Sequence, residues 1–320
     1  MMQKLCQVIN LVALGGTTTL ARTIVRALPD WQHEIQVIGP MLPGLAEQWQ
    51  LPARRVHWVK PTDADIVLMH NTDGYCCRTR PEQPTIQWHH SGGDRARADI
   101  DMWASHWLRN RRPGMRMIQG VDCATVEPTS DDATWRDQQP FVVGRLATAH
   151  PAKWPAELAD GMVRAHLPDM KWHLIGGACL SGRLAKGPLA GTRIDAPNPD
   201  AAGALCRWHV LWYPNPKITD SFGRVIIEAM AAGCVPLVDA RGGPAEIAEM
   251  CGTTDAIRAC RSEAEMIEAL HALHANRDRW IQASYAARAL AHIHFGLPPF
   301  RERLVQAFGT AELLRRRRRA

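Results

Sequence analysis

Two carboxylates on either side of a helix start mark the stretch of this chain best equipped for chemistry. Asp220 and Glu228 lie eight positions apart in Asp220 to Glu246, DSFGRVIIEAMAAGCVPLVDARGGPAE. A polar loop, Asp220-Ser221-Phe222-Gly223, runs into an apolar helical segment from Val225 to Ala232, with Gly233 where a helix C-cap belongs. A β-branched strand, Val235 to Val238, and a second glycine loop, Arg241-Gly242-Gly243-Pro244, follow. A helix that starts near Gly223 turns free N–H groups and a positive dipole end toward whatever precedes it. A diphosphate suits that place. Carboxylates would repel a phosphate, so these two should face neutral hydroxyls, and the arrangement points to a sugar nucleotide with hydroxyls on both sides of its diphosphate. Loop, helix, strand and loop make half of a doubly wound α/β unit, in which ligands bind at the carboxyl ends of the strands.

The string resembles the signature of retaining GT-B glycosyltransferases, especially glycosyltransferase family four. That signature is an acid, seven residues and a Glu, usually with Phe-Gly after the first acid and Glu-Ala-Met-Ala-x-Gly at the second. Asp220 stands where Glu is usual and is one methylene shorter. The resemblance implies an α/β chain of GT-B architecture, two Rossmann-like doubly wound domains with an interdomain cleft, the donor bound mainly by the second. It implies that Asp220, with the backbone of Ser221, Phe222 and Gly223, holds the donor sugar and that Glu228 holds the ribose hydroxyls. The family's Gly-Arg…Lys pair falls on Arg145 and Lys153, and both cations would hold the diphosphate, Arg by forked contact and Lys as a point charge. The family's histidine beside the reacting sugar falls on His90, with His89 the alternative; His89 also reads as an ordinary loop or core histidine. Gln119 stands where the family's Pro-Asn-Gly-Val-Asp turn has Asn. Catalysis of this kind is electrostatic stabilisation of the leaving diphosphate, with no dedicated nucleophile. Retention follows from acceptor attack on the face that the diphosphate leaves, unlike the double displacement of hydrolases. No metal and no cofactor is implied beyond the nucleotide-sugar co-substrate, a UDP- or GDP-sugar.

The elements that must position these residues are legible in outline. Residues 5–14 read as a strand, Gly15-Gly16-Thr17 as a loop and Leu20 to Leu28 as a helix, the opening of a nucleotide-binding fold. A Gly-Gly pair lets backbone N–H groups approach an anion, although a plain turn reads the same way. In the resembled family a glycine loop at this place lies under the donor diphosphate and the acceptor, which makes Gly15 and Gly16 donor-binding candidates. Short strands are expected at 34–39, 65–70 and 84–88, and 102–108 and 115–122 complete the first half. Polar residues 123–138 read as a linker. The expected division is 1–138 on the acceptor side, 139–296 on the donor side, and 297–320 as a helix crossing back to the N-terminal domain with an arginine tail. Within the second half, strands are expected at 140–146, 172–177 and 210–213, and helices at 157–166, 262–273, 278–291 and 300–314.

Composition limits the alternatives. The chain has 320 residues, is 46% hydrophobic and contains no apolar run near the roughly 18–20 residues of a membrane span. Lys4 is followed by an apolar stretch that Gln7 and Asn10 interrupt, which reads as a first strand rather than a signal peptide. Nine cysteines without a CxxC pair read as reduced thiols of a cytoplasmic protein, and fourteen histidines show no metal-ligand spacing. Residues 1–138 balance in charge, so the net +6 falls in the second half, five of it on Arg315 to Arg319. The body is nearly neutral, which speaks against a domain-wide nucleic-acid surface.

A glycan or lipid-linked intermediate is the expected acceptor. The arginine tail could hold the protein at the inner membrane face by about 1 kcal/mol per residue on anionic lipid, or merely be solvated. A modified base in DNA is the other acceptor, with Arg109, Arg111, Arg112 and the tail as phosphate contacts. A sugar-nucleotide epimerase, a phosphorylase, for which no pyridoxal-phosphate motif is found, and a non-catalytic sugar-nucleotide binding module are the remaining readings.

Overall fold

A computed structural model describes residues 2–93, 95–126, 140–199, 201–252 and 255–319. The chain forms two compact units, Met1–Asp122 with Gly296–Ala320, and Cys123–Phe295. The expected domain boundary at 138 and most of the expected linker lie outside the described residues.

The first unit is built on seven parallel strands among the described residues: β1 (Lys4–Ile9), β2 (Gln32–Val37), β3 (Ala53–Arg55), β4 (Ile66–His70), β5 (Thr85–His89), β6 (Ile100–Trp103) and β7 (Met115–Arg116), in the order β3-β2-β1-β4-β5-β6-β7. Strands covered on both faces read as continuous apolar runs, and every residue of β4 and of β5 is buried. Gln7 is the polar exception in the centre of β1, fully buried. The helices here are α1 (Gly16–Ala27), α2 (Leu45–Gln48) and α3 (His106–Arg109).

β1 stops at Ile9 rather than running to Leu14 as expected. Its neighbours β2 and β4 end at the same level, and beyond them the chain keeps only a single parallel bridge, Val12 to Met41. Side chains hold residues 10–15 beside that bridge: Asn10 Nδ2 donates to the Asn71 carbonyl at 2.9 Å, and Thr18 Oγ1 accepts from the Ala13 N–H at 3.1 Å.

The second unit has six parallel strands among the described residues: β8 (Phe141–Leu146), β9 (Met170–Ile175), β10 (Arg193–Asp195), β11 (Val210–Tyr213), β12 (Val235–Asp239) and β13 (Arg258–Cys260), ordered β10-β9-β8-β11-β12-β13. Its helices are α4 (Ala156–Ala165), α5 (Ser181–Leu184), α6 (Ala202–Leu205), α7 (Arg224–Ala231), α8 (Gly242–Met250), α9 (Glu263–Ala275) and α10 (Arg277–Phe295). Chain order reverses where β8 lies between β9 and β11, and such a switch point opens a crevice at the carboxyl ends of its strands. Arg145 sits near the end of β8, and Tyr213 is the last residue of β11.

The final helix, α11 (Leu297–Arg319), belongs to the first unit. Pro298 and Pro299 fall in its first turn, where a missing N–H costs nothing. Phe300, Leu304, Ala307, Phe308 and Ala311 pack into one cluster with Leu20, Ile24 and Trp88. The expected tail is the end of this helix. Arg315 donates to the carbonyls of Pro81 and Glu82, and both Arg315 and Arg318 pair with buried Asp99, to which Arg80 also binds. No helix among the described residues is long and apolar enough to cross a membrane.

Candidate active site

At the switch point of the second unit, one polar residue connects most of the charged groups. Asn215, 2% exposed, lies just beyond β11 in Tyr213-Pro214-Asn215-Pro216. Its Oδ1 accepts from Arg145 Nη2 at 2.9 Å, its Nδ2 donates to Asp220 Oδ2 at 3.3 Å, and its backbone N–H donates to Asp239 Oδ2 at 2.8 Å. Its carbonyl accepts from Arg241. Asp220 is then gripped on both oxygens: Lys153 pairs with Oδ1, and the Tyr213 hydroxyl donates to Oδ2 at 2.8 Å. Burial, with Asp220 alongside, pushes the Tyr213 hydroxyl well above its ordinary pKa, so it stays a donor.

Arg145, near the end of β8, is held by oxygens of its own chain. A guanidinium expected to meet phosphate oxygens is fully buried and bonds the carbonyls of Lys153 (2.9 Å) and Trp212 (3.3 Å) as well as Asn215. Its carbon lies 5.2 Å from the Trp154 ring centroid and 5.0 Å from that of Tyr213, within cation–π range of both. Burial pushes its pKa down; Tyr213, Asp220 and Asp239 oppose this. The glycine before it has a steric cause: a Cβ on Gly144 would lie 1.9 Å from Trp208 Cδ2. The Gly-Arg pair therefore seats a tryptophan beneath β8 and a cation at its end.

The second glycine loop is the opening turn of α8 and supports the Asp220 loop directly. A Cβ on Gly242 would lie 2.7 Å from the Asp220 carbonyl oxygen, and one on Gly243 would lie 2.4 Å from the Ser221 carbonyl oxygen. Gly243 N–H donates to the Asp220 carbonyl at 2.9 Å. Phe222 is buried, and Gly223, with φ 86°, caps α7. Helix and cap thus fall where expected. Glu228 stands apart from the Asn215 cluster. Its carboxylate pairs within α7 with Arg224 Nε at 3.1 Å, both side chains nearly buried. Burial raises its pKa, and Arg224 opposes the rise.

In the first unit, Gly15 caps α1 in an extended conformation, with no atom within 4 Å of where its Cβ would be, and Gly16 is the first helical residue. His90 lies just past β5. Its Nε2 is 3.0 Å from His70 Nδ1, its Nδ1 is 3.4 Å from Gln119 Nε2, and its backbone N–H donates to Asn71 Oδ1 at 2.8 Å. His89 stacks on Trp103 with centroids 3.8 Å apart and bonds Asp101 Oδ1 at 2.8 Å. Arg109 Nε donates to the Arg112 carbonyl at 2.7 Å, and Asn110 and Arg111 adopt positive φ, so this basic run is the turn that ends α3.

A cavity of about 370 Å³ opens at the ends of β11, β12 and β13, bordered by Trp212, Pro214, Pro216, Asp239 and Arg241. Among the described residues no group of three His, Cys, Asp or Glu is placed to hold a metal ion. All nine cysteines are free thiols.

Tyr213, Asn215, Asp239 and Arg241 join the site without having been expected from the sequence. The one signal was a polar residue between two prolines directly after a buried strand, which is where an α/β crevice is built.

The fold is that of the GT-B glycosyltransferases. Anabaena HepE, solved with UDP-glucose, matches 96% of this chain and 99% of its own at a TM-score of 0.76 and 14% identity. A glycosyltransferase from Rickettsia africae matches 97% and 98% at 0.72 and 11% identity. Sucrose-phosphate synthase from Thermosynechococcus elongatus matches 96% and 98% at 0.69 and 14% identity. No protein-family model and no curated protein sequence matches the chain.

Proposed function

We propose that this protein is a retaining glycosyltransferase. It moves a sugar from a nucleotide-sugar donor, a UDP- or GDP-sugar, to a hydroxyl of a glycan or lipid-linked acceptor. The observation that carries the reading is the Lys153–Asp220 pair, held by Tyr213 and Asn215 at the switch point and directly before the start of α7. A GT-B fold shared with a protein solved with UDP-glucose supports the choice of donor class.

In this reading the diphosphate lies before α7, against its free N–H groups. Lys153 exchanges the Asp220 carboxylate for diphosphate oxygens, and Asp220, still held by Tyr213 and Asn215, accepts from hydroxyls of the donor sugar. Glu228 accepts from the ribose hydroxyls. Arg145 acts from beneath, fixing the loop that carries Lys153. The acceptor oxygen bonds to the anomeric carbon as the carbon–oxygen bond to the diphosphate breaks. The acceptor proton passes to the departing phosphate oxygen on the same face. The stabilising charge on the leaving group is the largest catalytic contribution.

Three of the basic residues that the DNA-acceptor reading needs are already engaged within the chain. Arg315 and Arg318 are tied to Asp99, and Arg109 to its own turn.

The test is a thermal-shift panel of nucleotide sugars followed by assay of nucleotide release. A donor at a hundred times its Kd adds about 2.7 kcal/mol, and Lys153→Ala slows release about a hundredfold to a thousandfold. Stabilisation by no nucleotide sugar at all would refute the reading.

A further inference from the structure

The ring nitrogens of His90 connect to a chain of buried groups whose hydrogen-bond directions are all determined. The chain begins at the Ala21 carbonyl in α1, which can only accept. Gln7 Nε2 lies 3.3 Å from that oxygen and is therefore the donor, which turns Gln7 Oε1 toward His70. Gln7 Oε1 is 3.2 Å from His70 Nε2 and must accept, so His70 carries its proton on Nε2. Both residues are fully buried.

A neutral imidazole protonated at Nε2 has only an acceptor at Nδ1. Burial holds His70 neutral, with its pKa pushed down to about 3. His70 Nδ1 faces His90 Nε2 at 3.0 Å, so His90 supplies the hydrogen. The two rings are nearly parallel, 11° apart with centroids at 5.3 Å, and Trp88 packs against both. His90 Nδ1 is left as the acceptor, and Gln119 Nε2 lies 3.4 Å from it.

We propose that Gln7 and His70 are positioning residues that lock His90 in the tautomer protonated at Nε2, and that sugar transfer by this chain depends on that form. The second half rests on the glycosyltransferase reading; the first does not. The nitrogen that faces His70 is a committed donor and takes no proton from an acceptor. His90 therefore works as an oriented dipole that accepts at Nδ1, not as a base at Nε2. A neighbouring group that fixes which nitrogen is protonated is what makes one histidine differ chemically from another. Gln7 sits 83 positions from His90 in sequence, and the link is made by the register of β1 beside β4 and β4 beside β5.

The experiment is ¹⁵N-histidine labelling of the full chain and long-range ¹H–¹⁵N spectra at neutral pH. The wild-type protein should show the Nε2-protonated pattern for both His70 and His90. In Gln7→Glu the carboxylate favours a second proton on His70, whose Nδ1–H then donates to His90 and drives it to the Nδ1-protonated form. With that inversion kcat should fall about tenfold to a hundredfold, while KM for the donor stays within about threefold. Should Gln7→Glu fail to fold, Gln7→Met keeps the volume and removes the acceptor, and both tautomers of His90 should appear. Protonation of wild-type His90 at Nδ1 would overturn the lock. An unchanged His90 pattern in both variants would overturn the relay. An inverted tautomer with unaltered kcat would overturn the dependence of transfer on it. The stated pattern in a protein that turns over no nucleotide sugar would uphold the lock and refute the glycosyltransferase reading.

Discussion

Arg145 holds Lys153 by its backbone: Nη2 donates to the Lys153 carbonyl at 2.9 Å, while the Lys153 ammonium reaches Asp220 on its own. One cation is buried so that another can be presented. The two cations therefore stand in different surroundings, and substitutions should separate them.

Arg145→Ala should damage fold and activity together. It removes a fully buried guanidinium and leaves Asn215 Oδ1 and two carbonyls without their donor. Each buried acceptor left without its donor costs about 1–3 kcal/mol. Urea unfolding should show that loss in the midpoint, with nucleotide release falling as Lys153 loses its support. A variant as stable as wild type would mean that the buried contacts count for little.

Lys153→Ala should separate the two effects. Its ammonium pairs with Asp220 Oδ1, and without it Oδ2 keeps both neutral donors. Stability should drop by about 1–3 kcal/mol, and kcat by about a hundredfold to a thousandfold. Steady-state kinetics beside a thermal melt decides it; a change confined to stability would remove Lys153 from the chemistry.

These two cases show what one dimension of sequence carries. The start and end of α7, the strand after it and the register of acids around Gly223 were legible because each is set by residues within four or five positions: a glycine at each end and an apolar helical period between. The Asn215 hub was not, because Arg145 on β8 and Asp239 and Arg241 at the end of β12 lie far from it in sequence, and no local pattern distinguishes an asparagine that joins several charged residues from one in a turn. The strand expected over residues 5–14 failed for a related reason. Leu11 to Leu14 have strand composition, but β2 and β4 had ended, and one bridge from Val12 to Met41 does not extend a strand. The arginine run looked like a solvated tail because the acid that holds it, Asp99, lies more than two hundred positions away.

Asn215→Asp tests whether that residue is needed as acceptor and donor at once. The amide accepts from Arg145 and donates to Asp220; a carboxylate keeps the first contact and sets a like charge against the second. The variant should lose about 1–3 kcal/mol and release nucleotide far more slowly. Asn215→Ser should lose less activity, since no repulsion is introduced. Equal activity of Asn215→Asp and wild type would exclude a role for the Asp220 contact.

His70 predicts a pH dependence with a definite sign. Its folded-state pKa of about 3 lies below the ordinary 6.5, so between those values the unfolded chain binds a proton that the folded chain refuses. The contribution of the neutral ring is present above pH 6.5 and is lost progressively as pH falls toward 3. One proton corresponds to about 1.4 kcal/mol per pH unit. His70→Gln keeps a polar group at the Gln7 and His90 positions but cannot titrate. Chemical denaturation from pH 7 to pH 4 should therefore show a shallower decline for the variant, by close to that slope, with the curves converging and crossing as acid is added. Parallel curves for the two proteins would mean that His70 takes up its proton in the folded state.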